Sequence, residues 1–212
     1  MSAQFLVVED HPIVQLGLRQ LIGSRWPSAD LDVSSTLAEA VTLAAERAYE
    51  VAVVDLNLPD AVGLAAITRL RQVAPSLPIL VLSLNDEMAY AQRVLQLGAA
   101  GYLSKERAAA ELVTAMERIS SGKKYITASQ AERIAEMALG QRFQAPHEAL
   151  STQEYQVMTY LARGKRLTEI AELMNLSPKT VTTYRGRVLE KLGVQNNQLL
   201  YQYCIDHGIT ES

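Results

Sequence analysis

Short apolar runs recur through the first 120 residues and alternate with stretches of helical spacing. The runs are QFLVVED (4–10), LDVSS (31–35), VAVVDL (51–56), PILVLSL (78–84) and AGYLSK (100–105). Near-continuous apolar character over so few residues predicts strands buried on both faces. Between them, Val14, Leu18, Leu21 and Ile22 share one helical face, as do Leu64, Ile67, Leu70 and Val73. Thr36 and Glu39 have the spacing of a capping box. Gly98 and Gly122 follow helical runs, as helix-ending glycines do. Five strands alternating with five helices predict an α/β fold with a doubly wound parallel sheet. Function in such a sheet sits at the carboxyl ends of the strands, at the switch point of strand order.

The pattern changes after this region. Residues 121–140 predict a turn and a short helix, and QRFQAPHEA (141–149) has no periodicity and contains Pro146, which predicts a linker. From 150 onward the periodicity is purely helical. Ser151 and Glu154 form a second capping-box pattern, Ser177 and Pro178 start a helix that runs to Gly193, and a last helix covers roughly 196–207. The expected division is a first domain over 1–122, a linker with a short helix over 123–149, and a small all-α domain over 150–212.

Composition narrows the picture only slightly. A hydrophobic fraction of 49% is ample for packed cores, and 6% aromatics make those cores aliphatic. A net charge of −3 gives no global signal for nucleic acid or anionic membrane, although a local basic face can hide in that average. The single cysteine, Cys204, suits a reducing cytoplasm. No apolar run approaches the roughly 20 residues of a membrane helix. The start MSAQFLVVEDH lacks the marks of a signal peptide.

The chemistry lies at the strand ends. Glu9 and Asp10 end the first strand and Asp55 ends the third, and a doubly wound sheet makes those strands neighbours. Three like charges in one cleft need neutralising. Mg²⁺, bound through oxygen ligands, does this while keeping several waters. Ser83 ends the fourth strand and Lys105 the fifth. A carboxylate nucleophile, a metal site, a hydroxyl and an ammonium are the parts of a phosphoryl-transfer site, with Asp55 as the attacking group. Any one of these residues is ordinary loop chemistry; the joint pattern is what points to a site.

Residues 1–122 resemble the receiver domain of bacterial two-component response regulators, a flavodoxin-like fold, through VVEDHPIV, VVDLNLPD, VLSL and GAAGYLSK. The resemblance implies that Asp55 accepts a phosphoryl group from a sensor histidine kinase. It implies Mg²⁺ on Asp10, Asp55 and the Asn57 backbone carbonyl, with Glu9 acting through water. Ser83 and Lys105 contact the phosphoryl group, and Ser83 and Tyr102 form the switch. The chain departs from the usual pattern at Glu9, where Asp is common, at Leu84, where a small residue is frequent, and at Glu106, where many receivers have proline.

The second helix of LTEIAELMNLSPKTVTTYRGRVLEKLG is two-sided. Val181, Tyr184, Val188 and Leu192 form an apolar stripe, while Lys179, Thr182, Thr183, Gly186 and Arg187 form a small, basic one. A helix that reads a DNA groove needs both sides. The segment from Leu150 to Val194 resembles the LuxR-type helix-turn-helix, and its union with a receiver resembles the NarL/FixJ response regulators. By that match Thr182, Thr183 and Gly186 face base edges, with Arg187 nearby. Lys179, Thr180, Tyr184, Arg185 and Lys191 are candidates for phosphate or sugar contacts. Leu199, Leu200 and Tyr203 on the last helix correspond to the dimer interface formed on DNA; capping of the domain core is the plainer role of this helix, and the two are compatible.

Three other readings compete with a phosphorylation-controlled transcription factor. An Asp-nucleophile phosphohydrolase needs a second acid two residues after the nucleophile, where this chain has Asn57, and a cap domain. A receiver that signals without phosphate has no need of the full acid set. A ligand-sensing regulator needs an apolar pocket that nothing in the sequence suggests.

Overall fold

The fold is given by a computed structural model, which describes residues 2–62, 64–83, 88–128, 131–132, 135, 145–174 and 176–209. The chain divides into two units, Met1–Glu132 and Arg133–Ser212.

The first unit has a five-stranded parallel sheet of β1 (Gln4–Val8), β2 (Asp30–Ser34), β3 (Val51–Asp55), β6 (Ile79–Ser83) and β7 (Gly101–Ser104). The strands lie in the order β2-β1-β3-β6-β7. A two-stranded antiparallel hairpin, β4 (Asn57–Leu58) with β5 (Ala61–Val62), follows β3. The helices are α1 (Pro12–Arg25), α2 (Leu37–Glu46), α3 (Ala65–Val73), α4 (Met88–Gln96) and α5 (Lys105–Ser120). The strand order reverses between β1 and β3, and these two pair directly, with Val8 opposite Val54. The residues that leave those strands therefore meet at one edge.

Alternation of side chains divides the strands between two faces. Phe5, Val7, Val51, Val53, Leu80, Leu82 and Leu103 pack on Leu18 and Ile22 of α1 and on Leu112, Ala115, Met116 and Ile119 of α5. Each such large side chain contributes about 1.5–3 kcal/mol by burial. The expected face of α1 is confirmed at Leu18 and Ile22; on α3 Ile67 and Leu70 are buried, but Val73, the last residue of the helix, is 41% exposed.

The Thr36–Glu39 box is half formed. Thr36 Oγ1 accepts from the Glu39 amide at 3.3 Å, but the Thr36 amide donates to Ser34 Oγ at 3.2 Å rather than to Glu39. The Glu39 carboxylate instead accepts from Ser34 Oγ at 2.9 Å. Lys105 is the first residue of α5 rather than the last of β7, since Ser104 keeps an extended backbone and stands at the N-cap position, without a side-chain cap bond. Glu106 thus lies in the first helical turn. Gly98 and Gly122 both adopt positive φ, 90° and 78°, as helix-ending glycines do.

The expected linker is shorter than 123–149 at both ends. Tyr125 bridges to Gly101, packs in the core and bonds through its hydroxyl to Glu111 of α5, which ties residues 121–126 to the first unit. Pro146–Ala149 form a 3₁₀ turn that carries a buried His147 into the second unit. Most of the expected short helix, and Leu84, lie outside the described residues.

The second unit contains α6 (Thr152–Ala162), α7 (Leu167–Met174), α8 (Pro178–Leu192) and α9 (Asn197–Asp206). The Ser151–Glu154 capping box is complete, Ser177 caps α8, and Asn196 caps α9. Gly193 ends α8 in the left-handed region, with φ 69°. Tyr155, Met158, Ile170, Val181, Val188, Leu200 and Cys204 are buried in this unit. None of the described helices is long and apolar enough to cross a membrane.

Candidate functional site

The pairing of β1 with β3 brings Glu9 beside Asp55, and both are 1% exposed. Lys105, from the start of α5, reaches across with Nζ 2.9 Å from Asp55 Oδ2 and 2.7 Å from Glu9 Oε2. The Asn57 amide donates to Asp55 Oδ1 at 3.1 Å. Asp10 stands at the mouth of the cleft, its side chain 28% exposed. Ser83 ends β6 and is buried, opposite Ser104 in register. Tyr102 is fully buried on β7, opposite Val81.

The electrostatics follow from this crowding. Burial pushes the Asp55 carboxyl up from its ordinary value. Its contact with Lys105 offsets that only in part, and the Glu9 charge adds to the rise. Burial alone would lower the Lys105 ammonium, but its bond to Asp55 and its close pairing with Glu9 outweigh that and hold it above its usual range. Lys105 therefore stays charged and serves two acids at once.

Sequence reasoning missed His11. Its Nδ1 lies 3.0 Å from Glu9 Oε1 and 2.7 Å from Asp10 Oδ1, and its amide donates to Glu9 Oε1 at 3.1 Å. The bond to Glu9 and the charge of Asp10 raise its pKa. The signal available in the sequence was only its place directly after the two acids. Glu9, Asp10, His11 and Asp55 offer ligand atoms that all lie within 4.8 Å of one another. Glu9 Oε2 and Asp10 Oδ1 are shut off from water and accept no well-aligned hydrogen bond, although Lys105 and His11 nitrogens stand 2.7 Å away. Close charge without an aligned bond leaves both oxygens with lone pairs for a hard cation. The oxygen donor set fits one.

The second unit has its own polar face on α8. Ser177, Lys179, Thr180, Thr183, Tyr184 and Arg187 line a hollow of about 320 Å³. Lys179, Thr182, Thr183, Gly186 and Arg187 are exposed, whereas Val181, Val188 and Leu192 turn inward, as the two-sided pattern predicts. The Thr182 and Thr183 hydroxyls donate to the carbonyls of Pro178 and Lys179 at 2.9 and 3.0 Å, which leaves their lone pairs outward. A Cβ on Gly186 would meet nothing within 4 Å.

Four expected contact residues are placed differently. Lys191 Nζ lies 2.6 Å from the buried Glu154 carboxylate, so the ammonium of this exposed side chain is paired within the unit. Arg185 Nε donates to Asn197 Oδ1 at 2.7 Å, joining α8 to α9. Leu200 is 0% exposed and belongs to the unit's own core, not to a free interface. The Tyr203 hydroxyl is 3.0 Å from His147 Nδ1. Leu199, at 45% exposed, and Tyr201, at 40%, are the large side chains that α9 presents to solvent.

Residues 5–117 match the response regulator receiver domain, and residues 148–204 match the bacterial regulatory proteins of the luxR family. The chain belongs to the NarL/FixJ response regulators. It is 33% identical over 205 residues to the response regulator UvrY of Escherichia coli K12, covering 96% of this chain and 94% of that one. It is 29% identical to the response regulator GacA of Pseudomonas aeruginosa, covering 98% and 97%. Among solved structures it resembles RcsB from Salmonella enterica serovar Typhimurium, bound to promoter P1flhDC in the presence of the phosphomimetic BeF3⁻. That likeness has a TM-score of 0.77 at 26% identity and covers 96% of this chain and 98% of the other. This response regulator thus joins a receiver to a LuxR-type DNA-binding domain.

Proposed function

We propose that Asp55 is the phosphoryl acceptor and that its modification controls dimerisation and promoter binding. The observation that carries this is the convergence of Asp55, Glu9 and Lys105 from three separate elements on one buried cluster. A sensor kinase phosphohistidine is the donor. An Asp55 oxygen attacks phosphorus, the P–N bond breaks, and an acyl phosphate forms on Asp55. Lys105 exchanges part of its carboxylate pairing for a phosphoryl oxygen, and Ser83 donates to another. Asp10, Asp55 and the Asn57 carbonyl hold Mg²⁺, with Glu9 acting through water. The ion supplies charge neutralisation at the phosphoryl oxygens. The added charge draws Ser83 inward, and buried Tyr102 belongs to the repacked state.

The output is a homodimer on double-stranded DNA. Thr182, Thr183 and Gly186 of α8 face the bases, with Arg187 beside them, and Lys179, Thr180 and Tyr184 take phosphates. Outward Leu199 of α9 lies in the dimer contact. Few cations per subunit make one copy a weak binder, so two half-sites about one helical turn apart are required. DNA as the partner puts the protein in the bacterial cytoplasm. The test is phosphate uptake from acetyl phosphate by wild type and Asp55→Asn, followed by DNA binding with and without beryllofluoride. Labelling of Asp55→Asn, or binding indifferent to beryllofluoride, overturns the reading.

A further inference from the structure

The chain leaves the sheet at Asp55 and must hold Asn57 in place although the segment is short. The hairpin Asn57–Leu58 with Ala61–Val62 has only two residue pairs, far too little to be rigid by itself. Buried Leu58 and Ala61 anchor it toward the core. Its tip, at Pro59 and Asp60, is exposed.

Asp60 does not simply face water. Its Oδ1 accepts from the Leu37 amide at 2.8 Å and its Oδ2 from the Ala38 amide at 2.9 Å. These are the first two residues of α2, whose N-terminal amides have no partners within the helix. Thr36 Oγ1 takes the third amide, that of Glu39. The helix start is thus satisfied from two sources: its own N-cap and a carboxylate 22 residues further along the chain. A carboxylate there also meets the positive end of the helix dipole.

We propose that Asp60 is a positioning residue for the phosphorylation site. It ties the tip of the loop after Asp55 to the start of α2. That tie fixes the hairpin, and with it the Asn57 amide that holds Asp55 Oδ1. The inference rests on the reading of Asp55 as phosphoryl acceptor and of Asn57 as part of the Mg²⁺ site. It adds that α2 is mechanically joined to that site. A change of state at Asp55 is therefore felt at Leu37 and Ala38, on a helix that carries no residue of the site.

The experiment compares full-length Asp60→Ala, Asp60→Asn and Thr36→Ala with wild type. Thr36→Ala weakens the same helix start without touching the loop, so it separates helix capping from tethering. Three quantities are measured: Mg²⁺ affinity by calorimetry, the rate of acyl phosphate formation from acetyl phosphate, and the amide resonances of Leu37, Ala38 and Asn57 during Mg²⁺ titration. Asp60→Ala is expected to weaken Mg²⁺ binding and slow phosphorylation about tenfold, the scale seen when groups that orient metal ligands are removed. Asp60→Asn, which keeps one carbonyl acceptor, falls between. Thr36→Ala stays near wild type in both. The Leu37 and Ala38 resonances follow Mg²⁺ in wild type and cease to do so in Asp60→Ala.

Wild-type behaviour of a folded Asp60→Ala overturns the tether while leaving the Asp55 reading intact. Equal losses in Asp60→Ala and Thr36→Ala overturn it in favour of plain helix capping. If Asp60→Ala fails to fold, the same comparison is made with Asp60→Asn, where unchanged Mg²⁺ affinity and unchanged Leu37 and Ala38 response overturn it. A wild type that neither binds Mg²⁺ nor takes phosphate overturns the receiver reading, and this inference with it.

Discussion

The Lys105 ammonium lies 2.9 Å from Oδ2 of Asp55. The pair is buried, and Glu9 shares the same ammonium at 2.7 Å. Lys105→Met therefore leaves two buried carboxylates without their cation. Removing one partner of a buried pair costs about 3–5 kcal/mol. The expected result is a fall in unfolding free energy of that order in the absence of Mg²⁺, together with a large loss of phosphorylation rate. A denaturant titration with and without Mg²⁺ checks it, and Mg²⁺ is expected to restore part of the lost stability.

Asp55→Asn is expected to stabilise the metal-free protein. Burial raises the Asp55 pKa in the folded state, so the folded protein binds a proton more tightly than the unfolded chain. Between the unfolded and folded values, stability falls as pH rises, and above that window the ionised Asp55 is a net cost. Asn carries no such cost. Mg²⁺ at a hundredfold excess over its dissociation constant adds about 2.7 kcal/mol to a protein that binds it only when folded. Thermal unfolding of both proteins across pH 4–8, with EDTA and with Mg²⁺, is the measurement. A larger Mg²⁺ gain for Asp55→Asn than for wild type contradicts the assignment.

The second unit has the opposite pH behaviour. Burial would raise the Glu154 carboxyl, but Lys191 and the Ser151 amide outweigh it and hold it below its ordinary range. A depressed folded pKa contributes stability above the unfolded value, and that contribution is lost as pH falls through the folded value. Glu154→Gln keeps the capping-box acceptor but loses the pair with Lys191. It is expected to lower the stability of this unit by about 1–3 kcal/mol near neutral pH and to flatten its acid-side decline. Circular dichroism melts from pH 3 to 7 measure both effects.

On α8, Lys179→Ala is expected to weaken DNA binding at all sequences and to reduce the salt slope by about 1 per subunit, whereas Arg187→Ala is expected to relax sequence preference as well as weaken binding. Lys191→Ala is expected to act first on stability, because its ammonium is held by Glu154. Gly186→Ala removes a mid-helix glycine with open space around it and is expected to stabilise the unit by about 0.5–1 kcal/mol. Fluorescence anisotropy at several salt concentrations, paired with melting curves, separates these outcomes.

Leu199 and Leu200 are neighbours in sequence with opposite fates. Leu199→Asp is expected to abolish the dimer on DNA without changing the melting temperature. Leu200→Ala opens a cavity in a closed core and is expected to cost about 2–5 kcal/mol. Analytical ultracentrifugation with DNA, set beside unfolding curves, distinguishes the two. A folded, dimer-deficient Leu200→Ala contradicts this assignment.

Much of this protein was determined by sequence alone. The α/β alternation and the helical end were legible because strand and helix periodicity are local properties of the chain. The Ser151 and Ser177 caps were legible for the same reason, and so was the meeting of Glu9, Asp55 and Lys105, once a parallel sheet with a switch point follows from the pattern. What only tertiary structure decided is which partner each side chain finds across the chain. Asp60 reads locally as a turn residue, yet its carboxylate caps a helix start 22 residues earlier. Ser34 takes half of a capping box that sequence spacing assigns to Glu39. His11 joins the acid cluster because α1 begins where the cleft opens. Tyr125 and His147 shorten the linker from both ends by packing into separate units. Leu200 turns inward, and Lys191 lies within reach of Glu154, because rotation of a helix about its axis is set by the core it packs on. Spacing gives the period of an apolar stripe, whereas contact with a neighbouring element gives its phase.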